Sequence, residues 1–141
     1  MTNQFLSSIN YWAVLVSGAA YWIIGSLWFS KLFGNIWSNE LEKHGVKIKE
    51  PTKKELITKL ILTLMLNISV SFGTAYFVYA TSSETFVNAI NLGFLLGLCF
   101  SAATIAIAYT WESRSLKLTL IDCGYSLVGI TTCSVILTIW K

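Results

Sequence analysis

No side chain before Lys31 carries a charge, and the same holds from Leu60 to Ser83, from Thr85 to Trp111 and, apart from Asp122, from Leu118 to Trp140. Each uncharged run reaches the roughly 20 apolar residues with which a helix crosses a bilayer. The spacing predicts four spans, at about 10–30, 57–80, 86–111 and 117–140, with a polar connection over about 31–56. Strands do not fit. A membrane β-barrel needs short segments of alternating polarity, whereas Leu60 to Leu66 and Leu92 to Leu98 are almost continuously apolar. Helices satisfy every backbone group without water.

The expected fold is therefore all-α, a polytopic membrane protein with four transmembrane helices in one antiparallel bundle. Composition agrees: 12% of the 141 residues are charged and 55% hydrophobic, against about 25% charged in an average soluble domain. A soluble enzyme of this length would lack the charge to cover its surface.

Lys and Arg flanking a span are retained on the cytoplasmic side. Lys31, Lys43, Lys47, Lys49, Lys53, Lys54 and Lys59 lie between the first two spans and Arg114 and Lys117 between the last two, while only Lys141 falls on the other side. The tally predicts a cell (cytoplasmic) membrane protein with both termini exterior or periplasmic and the 31–56 and 112–117 connections inside. The first span lacks the basic flank of a cleavable signal and reads as retained. Tyr11, Trp12, Tyr79 and Trp140 at one set of ends, with Trp28, Tyr109 and Trp111 at the other, suit interfacial belts.

Two helix starts and one helix stop are legible in the connections. Thr52 followed by Glu55 has capping-box spacing, so the second helix should begin ahead of the membrane. Thr81 and Glu84 share that spacing and would start the third. Ser38 to His44 reads as a short surface helix ended by Gly45. Short connections make helices two, three and four neighbours. His44, alone among charged residues, reads as solvated. Cys99, Cys123 and Cys133 all fall within spans and read as small buried side chains.

Helices in lipid associate through small residues. Gly93, Gly97 and Ser101 recur every fourth position, followed by Thr104 and Ala108; Gly18 and Gly25 lie a heptad apart; Gly129 sits between Ser126 and Cys133. These stripes suit packing within the chain or in a homo-oligomer.

Polar side chains inside spans face protein or a water cavity. Asp122 lies roughly 6 Å below the interface and Asn67 roughly 10 Å, at 1.5 Å per residue. The antiparallel order brings Trp28, Ser30 and Trp37 to the same end as Glu112, Arg114, Asp122 and Tyr125. Two readings stand: Arg114 clamps Asp122 or Glu112 in a charge-assisted pair, or the cluster is a shallow cytoplasm-facing pocket with aromatic walls and one cation.

Gly25-Ser26-Leu27-Trp28-Phe29-Ser30 with Phe33-Gly34 and Trp37, then Trp111-Glu112-Ser113-Arg114-Ser115 and Leu120-Ile121-Asp122-Cys123-Gly124-Tyr125, resemble in order and spacing the two signatures of a bacterial family of small four-helix membrane proteins, the domain of unknown function 1761 family. Phe29 stands where that family usually has Tyr, and Ser115 where Pro is frequent. The resemblance implies a four-helix integral membrane fold and no established activity.

The spans hold no Ser-His pair, metal-ligand cluster or phosphate loop, and the reading is a non-enzymatic membrane module without cofactor or metal. Its partners are the lipid bilayer and, at the cluster, a small molecule, a lipid or a protein; nucleic acid is not expected. The alternative is an oligomeric transporter or channel using Asp122, weakened because the first helix holds no carboxylate.

Overall fold

The computed structural model describes residues 2–47 and 49–140, the side chains of residues 2 and 3 excepted. Every regular element among them is helical: α1 (Thr2–Ser8), α2 (Tyr11–Leu32), α3 (Gly34–Lys43), α4 (Lys53–Ala80), α5 (Phe86–Trp111) and α6 (Leu116–Ile139). Four of them, α2, α4, α5 and α6, are long and apolar enough to cross a membrane. Lys141, in the charge tally, lies outside the described residues.

Local signals set the helix ends. Asn10 starts α2 by accepting from the amides of Trp12 and Ala13 at 3.1 and 3.2 Å. Thr52 and Glu55 close the expected capping box: the Glu55 amide donates to Thr52 Oγ1 at 3.3 Å and the Thr52 amide to Glu55 Oε2 at 2.8 Å. The expected start at Thr81 is corrected. Thr81 ends α4, Ser82 turns the chain at φ 48°, and Thr85 caps α5 by accepting from the Asn88 amide at 3.2 Å. The surface helix α3 stops where expected, with Gly45 at φ 78°, but starts earlier, at Gly34.

α6 is the hub, touching α2, α4 and α5. Its antiparallel register with α2 is a ladder whose rungs step by about one turn. The Cys133 thiol donates to the Ser17 carbonyl at 3.4 Å, Gly129 receives the Tyr21 ring, Gly25 faces the Tyr125 hydroxyl, and Trp28 Nε1 donates to the Ile121 carbonyl at 3.0 Å. Against α5 the rungs are Ser134 Oγ donating to the Ala89 carbonyl at 2.8 Å, Gly93 on Thr131, Gly97 on Leu127, and the Cys123 thiol donating to the Ala102 carbonyl at 3.3 Å. A Cβ on Gly93 would lie 2.5 Å from Thr131 Cα, so glycine is what lets these backbones approach.

The stripe does not continue through Ser101. Residues Gly97–Ala102 form a π turn, whose wider hydrogen-bond ring adds one residue and rotates everything after it. Ala102 is buried in place of Ser101, and Thr104 and Ala108 are exposed. A second π turn, Trp28–Leu32, ends α2, with the Phe33 amide donating to the Trp28 carbonyl at 2.9 Å.

The expected neighbours also need one correction. α4 packs chiefly along α2, not α5. Ser71 Oγ donates to the Val14 carbonyl at 3.0 Å and meets Ser17 Oγ at 2.5 Å, a Cβ on Gly18 would sit 2.7 Å from Ile68 Cα, and Trp22 Nε1 donates to Thr63 Oγ1 at 3.1 Å. Gly18 and Gly25 therefore serve different partners, α4 and α6. Antiparallel pairing gathers the ends of α2 and α5 with the starts of α4 and α6, and α3 lies against α6 there. This end carries the basic connections. At the opposite end Phe5 of α1 is buried among Phe72, Tyr76 and Tyr79.

Candidate functional site

The site is made where three helices meet at the basic end. The π turn of α2 and the bend at Phe33 carry α3 over the side of α6, so that Trp37 Nε1 donates to Asp122 Oδ1 at 3.1 Å. From α5, the Tyr109 hydroxyl donates to Asp122 Oδ2 at 2.6 Å. Each carboxylate oxygen thus accepts from one neutral donor. No Lys, Arg or His pairs with Asp122 among the described residues.

Aromatic rings continue the site outward and inward. Phe29 stands between Trp37 and Tyr125, with ring centroids 5.3 and 5.1 Å away, and Tyr125 packs in turn on Tyr21 at 5.0 Å. Asn67 Nδ2 of α4 donates to the Tyr125 hydroxyl at 3.3 Å. Phe29, Trp37, Tyr109, Asp122 and Tyr125, with Thr104, Ile105 and Ala108, line an open groove of about 510 Å³.

Of the residues expected here, Trp37, Asp122 and Tyr125 line the groove and Asn67 braces it from behind. Trp28 is an anchor beside it: its indole donates to the Ile121 carbonyl, packs on Phe33 with centroids 4.8 Å apart, and lies over Gly124, where a Cβ would be 3.1 Å from Cζ2. Ser30 does not join. It is exposed and its hydroxyl donates back to the Ser26 carbonyl at 2.5 Å.

Arg114 does not clamp Asp122. Its Nε donates to Glu112 Oε2 at 2.9 Å within the α5–α6 turn, and the Glu112 side chain is half-exposed. Asp122 lies six residues past Leu116, where α6 starts, or about 9 Å along the axis, and each of its oxygens accepts instead from a neutral donor. Of the two clamps weighed from the sequence, the local one with Glu112 forms, and it joins no two helices.

Tyr109 as a partner of Asp122, and Phe29 as a wall of the groove, do not follow from the sequence pattern. The signal for Tyr109 was present in the α5–α6 register, but the π turn at Gly97–Ala102 shifts that register by a residue. Nor is His44 merely solvated. His44 Nε2 accepts from the Ser115 amide at 3.0 Å, an acceptor role that leaves the ring proton on Nδ1.

Beside it Glu40, 5% exposed, pairs with Lys43 at 2.8 Å. The Lys43 ammonium, then the Ser115 hydroxyl, hold the Glu40 carboxyl below its usual value. Ser115 Oγ accepts from the Leu118 amide at 3.2 Å and so caps α6. The connection is docked onto the start of α6, and this holds Trp37 over Asp122.

A family model described as protein of unknown function (DUF1761) matches residues 12–138. The chain belongs to the DUF1761 family. The matched segment contains both signature stretches and every residue of the groove. No curated protein matches the chain, and no solved structure does.

Proposed function

We propose that this DUF1761 protein is a non-enzymatic membrane module that holds an amphiphilic small molecule or lipid in the groove at Asp122. The observation that carries the reading is the groove itself: one carboxylate set among four aromatic rings, beside helices long and apolar enough to span a bilayer. Pockets of this volume with few convergent polar groups are the usual form of small-molecule sites. The residues that line the groove include no Ser, Cys, Lys or His, which supports binding over catalysis.

Native mass spectrometry of the protein released from its membrane tests this. A co-purified amphiphile retained by the wild type and lost on Ala108→Trp, which fills the groove, is the expected result; no adduct, or one indifferent to Ala108→Trp, refutes it. In orientation, both termini are exterior and the basic end is cytoplasmic, as supported by nine of ten basic residues falling on one side. Cysteines introduced at residues 47 and 84 of intact cells should be labelled from outside only at 84.

The second reading, coupled transport by an oligomer, is favoured by the same carboxylate. Solute or proton flux into liposomes that is lost on Asp122→Asn supports it, and absence of flux in the wild type removes it.

A further inference from the structure

We propose that the groove selects an amphiphilic organic cation, an ammonium group on an apolar tail. The inference rests on the ligand-binding reading above and adds the charge of the ligand. Both Asp122 oxygens are acceptors, from Trp37 Nε1 and Tyr109 Oη, the pattern of a carboxylate, which only accepts. Two neutral donors leave the charge itself unmatched. The cations nearby do not reach it: Arg114 Nε pairs with Glu112 and Lys43 with Glu40, and the buried Nη1 of Arg114, which has no partner, makes no ion pair with Asp122. His44 faces the Ser115 amide as an acceptor. An unneutralised carboxylate within a span is costly, and a ligand cation supplies what the protein does not.

The walls favour an organic cation over a metal ion. The faces of Trp, Tyr and Phe attract ammonium groups, and the rings of Phe29, Trp37, Tyr109 and Tyr125 all line the groove. Hard metal ions need about six oxygen ligands, and one carboxylate with two phenol groups falls short. The tail follows from the third wall. α5 beyond its π turn, Ala103–Trp111, buries none of its residues, and exposed Thr104 and Ala108 form the outer edge of the groove. A head group at Asp122 thus sends its chain along the exposed face of an apolar helix.

The test uses the full chain in phosphatidylcholine nanodiscs with three probes sharing a decyl chain: decyltrimethylammonium, uncharged decyldimethylamine oxide and decyl sulfate. Binding of radiolabelled decyltrimethylammonium should saturate, and the amine oxide and the sulfate should compete poorly. Asp122→Asn should weaken the cation at least about tenfold, as for loss of a charge-assisted contact, and weaken the amine oxide by a smaller factor. Phe29→Leu keeps the bulk but removes a ring face, and should weaken the cation roughly threefold to thirtyfold. It carries the test if Asp122→Asn fails to fold.

Equal wild-type affinity for cation and amine oxide, sulfate binding as tightly as the cation, or cation binding that neither variant weakens, overturns the charge selection while leaving the ligand-binding reading in place. Absence of saturable binding by all three probes overturns both.

Discussion

Gly129→Ala and Gly73→Ala are the same chemical change in two membrane-length helices, and the structure gives them opposite signs. A Cβ on Gly73 meets nothing within 4 Å, so the substitution brings only the preference of a helix interior for Ala over Gly, about 1 kcal/mol of added stability. A Cβ on Gly129 would overlap Cδ2, Cε2 and Cζ of Tyr21. That ring is 4% exposed and packs on Tyr125, so it has no free direction in which to swing. Overpacking costs typically 1–3 kcal/mol, and with three ring atoms struck the upper end applies. Subtracting the helix preference leaves Gly129→Ala destabilised by about 2 kcal/mol, and the two variants separated by about 3 kcal/mol. Equilibrium unfolding in mixed micelles, titrated with dodecyl sulfate, measures both. Tyr21→Leu in the same chain should shrink the Gly129→Ala cost by about 1–2 kcal/mol, since a flexible side chain can yield. Equal stabilities for the two alanine variants would refute the α2–α6 register, because that register alone sets Tyr21 against Gly129.

Three further outcomes follow from the basic end. Arg114→Ala removes a contact confined to the α5–α6 turn, whose Glu112 side is half-exposed, and should change detergent stability by less than about 1 kcal/mol, whereas Asp122→Asn, which sets an amide N–H against a donor, should cost about 1–3 kcal/mol; equal losses in melting experiments would mean that Asp122 has been given the wrong partners. His44→Ala should speed hydrogen exchange at the Ser115 amide, which loses its acceptor, and leave residues 126–134 unchanged. Because Lys43 and Ser115 depress the Glu40 carboxyl below its usual 4.5, its contribution to docking α3 is present above that value and is lost as the pH falls through the lower, folded one; exchange in Gly34–Lys43 should rise in that acid window, and Glu40→Gln should abolish the dependence.

The spans were legible because charge is excluded from hydrocarbon: the gaps between Lys31, Lys59, Glu84, Glu112 and Lys117 mark helices to within a few residues. Thr52 and Glu55 were legible because a capping box is a contact between near neighbours in sequence. Gly93 and Gly97 announced a packing face, and Asp122 stood out as the lone carboxylate between Leu118 and Trp140. What escaped were features that depend on register. A π turn leaves no charge or glycine pattern of its own, so Ser101 was placed on a face that Ala102 occupies. Arg114 seemed the natural partner for Asp122 by charge and nearness in sequence. Distance along α6 and the reach of Trp37 and Tyr109 decided otherwise. His44 looked solitary because its partner, the Ser115 amide, is a backbone group that no side-chain inventory records.

The sequence by itself determined that this chain is a set of four apolar helices with its basic residues gathered into two connections, and that Asp122 is the one carboxylate within a span. These follow from transfer free energies and helix geometry, which act residue by residue. Only the tertiary structure decided which donors meet Asp122, that Arg114 is not among them, and that Phe29 and Tyr109 wall a groove there. Those pairings span helices far apart in the chain, and their register is fixed by where α6 touches α2 and α5 and by a π turn that rotates half of one helix.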